Sequence, residues 1–390
     1  MRFHRIQRTH ESLLGRLLSP IVGHDGSSHV DYTLLIVLCI ILFFGLLMLS
    51  SATSVLSFER THNSYTFFKQ QLTHGIIPGL LLFFIALRIP YRRYEKIALY
   101  LFWLTVGLLL LVFIPHLGVR FNGVTSWIHV AGITVQTSEL AKPFFIVWLA
   151  AWLAQRNSAM SDLRSVTIPF ALQVGFICLL LMLQPDMGTM VIFATIAFLL
   201  FIAANARLTH ILGFIGIGAA LGTLLIFSAP YRLQRLLTFW NPGGDLQGSG
   251  YQLNQSLIAI GSGGLFGLGV GNSRQKFDYV PEIANDSIFA IISEEWGFIF
   301  SALLIILFLT VFWRGILIAR HAPDRFGGLL AFGIASMIAI QTLINIGAML
   351  GLVPLTGIPL PFISLGGTNV AVLLASIGVL ANISKYSVAK

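Results

Sequence analysis

With 390 residues, 56% of them hydrophobic and only 10% charged, the chain is too apolar to be an ordinary soluble domain. Its mean hydropathy of +0.86 comes from recurrent apolar runs at the length that crosses hydrocarbon as helix, without the alternation of barrel strands. The net charge of +9 raises nucleic-acid binding, but no stretch interleaves basic and aromatic residues densely. Lys and Arg retained in cytoplasmic loops account for the excess, and a nucleic-acid partner is set aside.

Residues 1–30 are basic and polar, too long for a cleavable leader, and are expected to form a cytoplasmic tail. A membrane domain follows over 31–385. The first span is expected from Tyr32 to Ala52 and the second from Leu72 to Leu87, with Pro78 inside it. Span three covers Ile97 to Ile114, and a loop with Gly turns around Trp127 leads to span four near Ser138. Span five ends at Gln184-Pro185-Asp186, span six covers Gly188 to Ala204, and span seven covers Ile211 to Ser228. A long polar interruption, 230–287, precedes span eight, which is expected from Ser287 to just before Arg314, with a basic connector after it. Span nine covers Phe326 to Leu350, a Pro/Gly-rich loop follows, and span ten runs from Asn369 to Ile383. Residues 386–390 form a cytoplasmic C-terminus. Cys39 and Cys178 lie within apolar spans and read as small buried hydrophobes, with no disulfide or metal site.

The fold class is therefore an all-α polytopic membrane protein of about ten transmembrane helices, with a large extracytoplasmic loop between helices seven and eight. Ten spans put both termini on one side, and most of the 24 Lys and Arg residues fall there. Both termini are then cytoplasmic and the 230–287 loop faces outward.

Several polar residues fall on that outer side. Glu139 and Lys142, three apart, share a helix face as a self-neutralising pair or as lining of a polar cavity. Asp186 follows Pro185 and either caps span six or faces the bundle interior. Arg232 and Arg235 stand at helical spacing beside Tyr231, suited to phosphate or to interfacial anchoring. The glycine-rich 261–271 stretch does not fit a nucleotide loop, and tight packing or a re-entrant segment suits it better. Asp286 either caps span eight or serves as general base toward a hydroxyl of a lipid-borne substrate. Glu294 and Glu295, deeper in span eight, need a partner or a proton.

The chain resembles the SEDS proteins, FtsW and RodA, in SELAK at 138–142, QPDMG at 184–188 and YRLQRLLTFWNP at 231–242. Further matches are GYQLNQSLIAIGSGGLFGLGVGNSRQK at 250–276, YVPEIANDSIFAIISEEWGF at 279–298 and GIPLPFISLGGT at 357–368. The wording of 255–276 is closer to the division branch, FtsW, than to the elongation branch, RodA.

The resemblance implies a peptidoglycan glycosyltransferase of the bacterial cytoplasmic membrane that polymerises lipid II at the outer face, for division or elongation. It places the catalytic base on Asp286 and cavity residues on Glu139, Lys142 and Asp186, with Asp186 paired to Lys142. Gln252 and Ser364, within matching stretches, join that cavity set, and Arg232, Arg235 and Lys142 are candidates for stabilising the pyrophosphate. The implied partners are lipid II, a class B penicillin-binding protein and other divisome or elongasome proteins. A divalent cation (Mg or Mn) would assist pyrophosphate departure, although no dedicated ligand set is evident. Ser126 stands where the family often has arginine. The alternatives are a lipid II transporter and a non-catalytic division scaffold.

Overall fold

A computed structural model describes residues 30–121, 123–130, 133–241, 249–277 and 279–387. The expected N-terminal tail lies outside these residues except for Val30, as do 242–248 of the long loop and 388–390 of the C-terminal segment.

Each of the ten apolar stretches folds as helix. Six are long and apolar enough to span a membrane with an unbroken helical path: α1 (Tyr32–Thr61), α2 (Thr66–Arg88), α5 (Leu163–Leu183), α7 (Leu208–Phe227), α11 (Arg325–Met349) and α12 (Gly367–Ser384). The seventh of that length, α10 (Ile288–His321), is broken at Gly297. Two shorter apolar helices are α3 (Ala98–Leu111) and α6 (Met187–Ala203), and α4 (Thr137–Gln155) carries the buried Glu139 and Lys142.

Several boundaries differ from expectation for local reasons. The polar stretch after Ala52 continues α1 to Thr61, because its hydroxyls bond back along the chain, as in Thr53 Oγ1 to the Leu49 carbonyl at 2.6 Å. Span two begins earlier, and a π-helical turn over Leu72–Ile76 shifts the register just before Pro78, which has no N–H to donate. A second π turn, Leu163–Thr167, precedes Pro169 in the same way. The connector expected after Arg314 is mostly helix: α10 runs on to His321, with Arg314 tied to Asp31 at 2.6 Å.

The loop around Trp127 is a three-stranded antiparallel sheet rather than a simple turn. It comprises β1 (Gly118–Phe121), β2 (Val124–Val130) and β3 (Ile133–Gln136), ordered β1-β2-β3. Trp127 sits opposite Gln136, and β3 passes directly into α4. The long polar interruption also has structure of its own, with α8 (Pro230–Trp240) and α9 (Ser249–Ser262).

α11 and α12 are the most enclosed helices, whereas α7 buries no residue. α2 and α12 approach so closely that a Cβ on Gly378 would stand 2.5 Å from the Phe83 carbonyl oxygen. Small residues allow such contact where both solvents, lipid and protein, are apolar.

The two ends of the bundle differ. At one end Asp31 joins Arg314 and accepts from the Leu34 amide, while Tyr91 and Arg92 reach Asp324. Burial, followed by the Asp324 carboxylate, pushes the Tyr91 phenol up to about 12. At the other end lie the starts of α4, α6, α10 and α12, together with the sheet, α8 and α9.

Candidate active site

Asp286 is the last residue but one before α10 and is 7% exposed. Gln252 Nε2, from α9, donates to its Oδ1 at 3.3 Å and to Ser287 Oγ at 3.0 Å. Asn345, from α11, donates to the Asp286 carbonyl at 2.7 Å and to the Ile358 carbonyl at 2.8 Å. Among the described residues no hydrogen bond reaches Oδ2, which faces Gly357. Burial first, and the Glu282 charge second, push the carboxyl up to about 7. This is a carboxyl with one oriented oxygen, one open oxygen and a titration near neutrality, the properties of a general base. Asp286 does not cap α10 through its side chain; Ser287 is the N-cap residue and makes no side-chain cap bond.

A second polar cluster surrounds the starts of α4 and α6. Lys142 and Glu139, 1% and 3% exposed, pair at 2.7 Å. Glu139 Oε2 and Ser138 Oγ are buried with no hydrogen-bond partner among the described residues. Asp186 accepts from the Thr189 amide at 3.1 Å, so it caps α6, and its other oxygen accepts from Ser126 Oγ at 2.8 Å. The expected pairing of Asp186 with Lys142 is therefore not formed: the lysine is taken by Glu139, and the aspartate by a hydroxyl and a backbone amide. Ser126, fully buried on β2, also has Gln184 Oε1 at 3.0 Å, so its single hydroxyl proton is shared between the two acceptors. In turn Gln184 Nε2 donates to the Leu109 carbonyl at 2.6 Å. The small sheet thus presents a neutral donor, Ser126, to Asp186.

The Pro/Gly-rich segment 350–366, here called the strap, joins the clusters. A Cβ on Gly188, at the start of α6, would lie 2.8 Å from the Thr356 carbonyl, and the next residue, Gly357, faces Asp286. Arg235 donates to the Leu355 carbonyl at 3.4 Å. Gln71 donates to the Ser364 carbonyl at 2.9 Å and accepts from the Gly366 amide at 3.0 Å. The Leu365 amide donates to the Ala284 carbonyl at 2.7 Å, two residues before Asp286.

The expected site residues therefore separate. Asp286 meets Gln252, and Glu139 meets Lys142. Asp186 is joined to the Asp286 region through the strap. Ser364 turns its hydroxyl inward to accept from the Leu360 amide at 2.8 Å, so it shapes the strap. Arg232 donates to the Leu225 carbonyl and to Ser228 Oγ, each at 2.9 Å, which ties α8 to the end of α7. The sequence reading missed Asn345 and the role of Ser126. An amide within the apolar α11 and a departure from the family pattern were the available signals.

Residues 32–389 match the family described as cell cycle protein, FtsW/RodA/SpoVE. The chain belongs to this family. It is 43% identical over 360 residues to stage V sporulation protein E of Bacillus subtilis (strain 168), covering 92% of this chain and 97% of that one. It is 36% identical to the probable peptidoglycan glycosyltransferase FtsW of Geobacter sp. (strain M18), covering 91% of this chain and 96% of the relative. A solved chain from a study titled "Structural coordination of polymerization and crosslinking by a peptidoglycan synthase complex" aligns with a TM-score of 0.74 at 23% identity. That alignment covers 91% of this chain and 97% of the solved one. The SEDS-type polytopic helical fold expected from the sequence is the fold observed.

Proposed function

We propose that this chain is a peptidoglycan glycosyltransferase that polymerises lipid II into glycan strands, with Asp286 as its general base. The observation that carries the reading is the Asp286 carboxyl: buried, oriented by Gln252, open at Oδ2 and titrating near neutrality. The names of its FtsW relatives point to the same chemistry. The 4-hydroxyl of the acceptor sugar attacks the anomeric carbon of the donor, and its proton passes to Asp286 Oδ2. The carbon–oxygen bond to the pyrophosphate breaks, and polyprenyl pyrophosphate leaves with the electron pair.

Charge on the leaving group is met by the positive ends of helices. The starts of α4, α10 and α12 carry no side-chain cap, and Lys142 lies in the first turns of α4. Arg235, exposed beside the strap, is the further candidate, whereas Arg232 is directed toward α7. A divalent cation, magnesium or manganese, would arrive on the substrate's own pyrophosphate oxygens. Among the described residues no group of three or more His, Cys, Asp or Glu side chains is placed to hold one.

The site faces outward and both termini lie in the cytoplasm of a bacterial cell. This orientation is supported by the gathering of Arg88, Arg92, Arg314 and Arg325 at the bundle end opposite Asp286. A class B penicillin-binding protein is the proposed transpeptidase partner, as the synthase complex to which the fold is similar suggests.

The test is polymerisation of lipid II by the purified chain, with and without that partner. Asp286→Asn, confirmed as folded in membranes, is expected to lose about 100-fold or more in turnover. Undiminished glycan synthesis would overturn the assignment.

A further inference from the structure

Two adjacent acids deeper in α10 have partners that the chemistry above does not use. Glu294 and Glu295 are each 1% exposed. Gly297 (φ +74°, ψ −173°) breaks the helix just beyond them, so backbone groups on both sides lose their helical partners. The glycine-rich stretch after α9 takes them up. The amides of Leu268 and Gly269 donate to the carbonyls of Glu294 and Glu295 at 2.9 and 3.0 Å. In return, the amides of Phe298 and Ile299 donate to the carbonyls of Gly264 and Leu265 at 2.9 and 3.2 Å. Only glycine fits at this approach: Gly267 has φ +82°, and a Cβ there would strike the Glu295 carbonyl.

The two carboxylates fasten the next stretch of chain. Glu294 accepts from the Ser273 hydroxyl and from the Arg274 and Gln275 amides at 3.0 and 3.4 Å. Glu295 pairs with the buried Lys276 at 3.3 Å and accepts from Ser51 Oγ of α1 at 2.8 Å. Lys276 also donates to the Gly271 carbonyl at 2.5 Å.

These contacts close a ring. α9, which carries Gln252, leads into the glycine-rich stretch; Ser273–Lys276 leads into the loop that ends at Asp286; and Asp286 opens α10. Gln252 and Asp286 meet across the ring. We propose that Glu294 and Glu295, with Lys276, are positioning residues for Asp286. They fasten the chain between α9 and α10 so that the base keeps one position and stays out of water. The inference rests on the reading of Asp286 as base.

A purely structural role is distinguished by pH. Glu282 is the charged group that acts on Asp286 from its own loop, and Gln252, Asn345 and Gly357, which face it from α9, α11 and the strap, do not titrate. A base released from its position gains water, and the acidic limb of turnover against pH moves down. The experiment takes the full chain with its transpeptidase partner and lipid II, and measures kcat, KM and the pH profile for Glu294→Gln and Ser273→Ala. The expected result is kcat lower by about tenfold, KM within about twofold, and an acidic limb about half a pH unit lower or more. If Glu294→Gln fails to accumulate in membranes, Ser273→Ala, which removes a single hydroxyl, gives the same readout. A folded variant with the wild-type limb, or one with raised KM and unchanged kcat, overturns the inference. Asp286→Asn measured alongside separates the two readings. Activity in that variant removes the base itself, whereas an inactive Asp286→Asn with an unaltered Glu294→Gln removes only the fastening.

Discussion

Asp286 ties rate and stability to pH in opposite directions. Its carboxyl, raised to about 7 from an ordinary 3.8, is mostly protonated below neutrality and mostly charged above it. As a base it works only when charged, so turnover should climb between about pH 6 and pH 8 and then level off, as initial rates across that range would show. Stability runs the other way. Because the folded value lies above the unfolded one, the penalty is absent below about pH 4, grows through the interval and is complete above about pH 7. Asp286→Asn removes it, so thermal melts should show the variant more stable than wild type near pH 8, by up to roughly 4 kcal/mol, and equal near pH 4. The Glu139–Lys142 pair behaves differently. Lys142→Met strands a buried carboxylate and should cost about 3 kcal/mol or more, while the double variant with Glu139→Gln recovers most of it in the same melts. Both acids were legible in the sequence as charges out of place in apolar surroundings. The pairing of Glu139 with Lys142 was legible too, from their spacing. The partners of Asp186 and Asp286 were not, because Ser126 and Asn345 are brought near only by the sheet and by α11.

At the level of elements, α2 and α12 depend on the absence of side chains along their shared face. Gly378→Val would push against the Phe83 backbone and should destabilise the chain by about 1–3 kcal/mol, read as a lower melting temperature in detergent. The helices were legible because hydrocarbon demands long apolar runs, and their limits were less so because polar ends can still be helical when tied. Asp31, far off in sequence, holds Arg314 and lets α10 extend past the point where charge suggested a stop. The sheet was missed although β2 reads Val-Thr-Ser-Trp-Ile-His-Val, rich in β-branched and aromatic residues, because Gly turns at both ends suggested a loop. α8 and α9 were hidden for the opposite reason, since they are polar helices within a stretch judged by its lack of hydrophobicity.

For the whole molecule, the two bundle ends predict labelling from opposite sides. In a chain freed of Cys39 and Cys178, Tyr279→Cys should react with a membrane-impermeant maleimide on intact cells, and Arg320→Cys only after permeabilisation; the reverse pattern would invert the proposed orientation. Both positions are exposed in the fold. The strap belongs to this scale as well, since it touches α2, α6, α8, α11 and the loop before α10 with no helix or strand of its own. It is also made late. During synthesis Asp286 is translated, and its helix emerges, before the residues that will flank it exist. The bundle can therefore gather most of its helices while its chemistry is still unassembled, and the growing chain acquires a site only as its final two helices are joined.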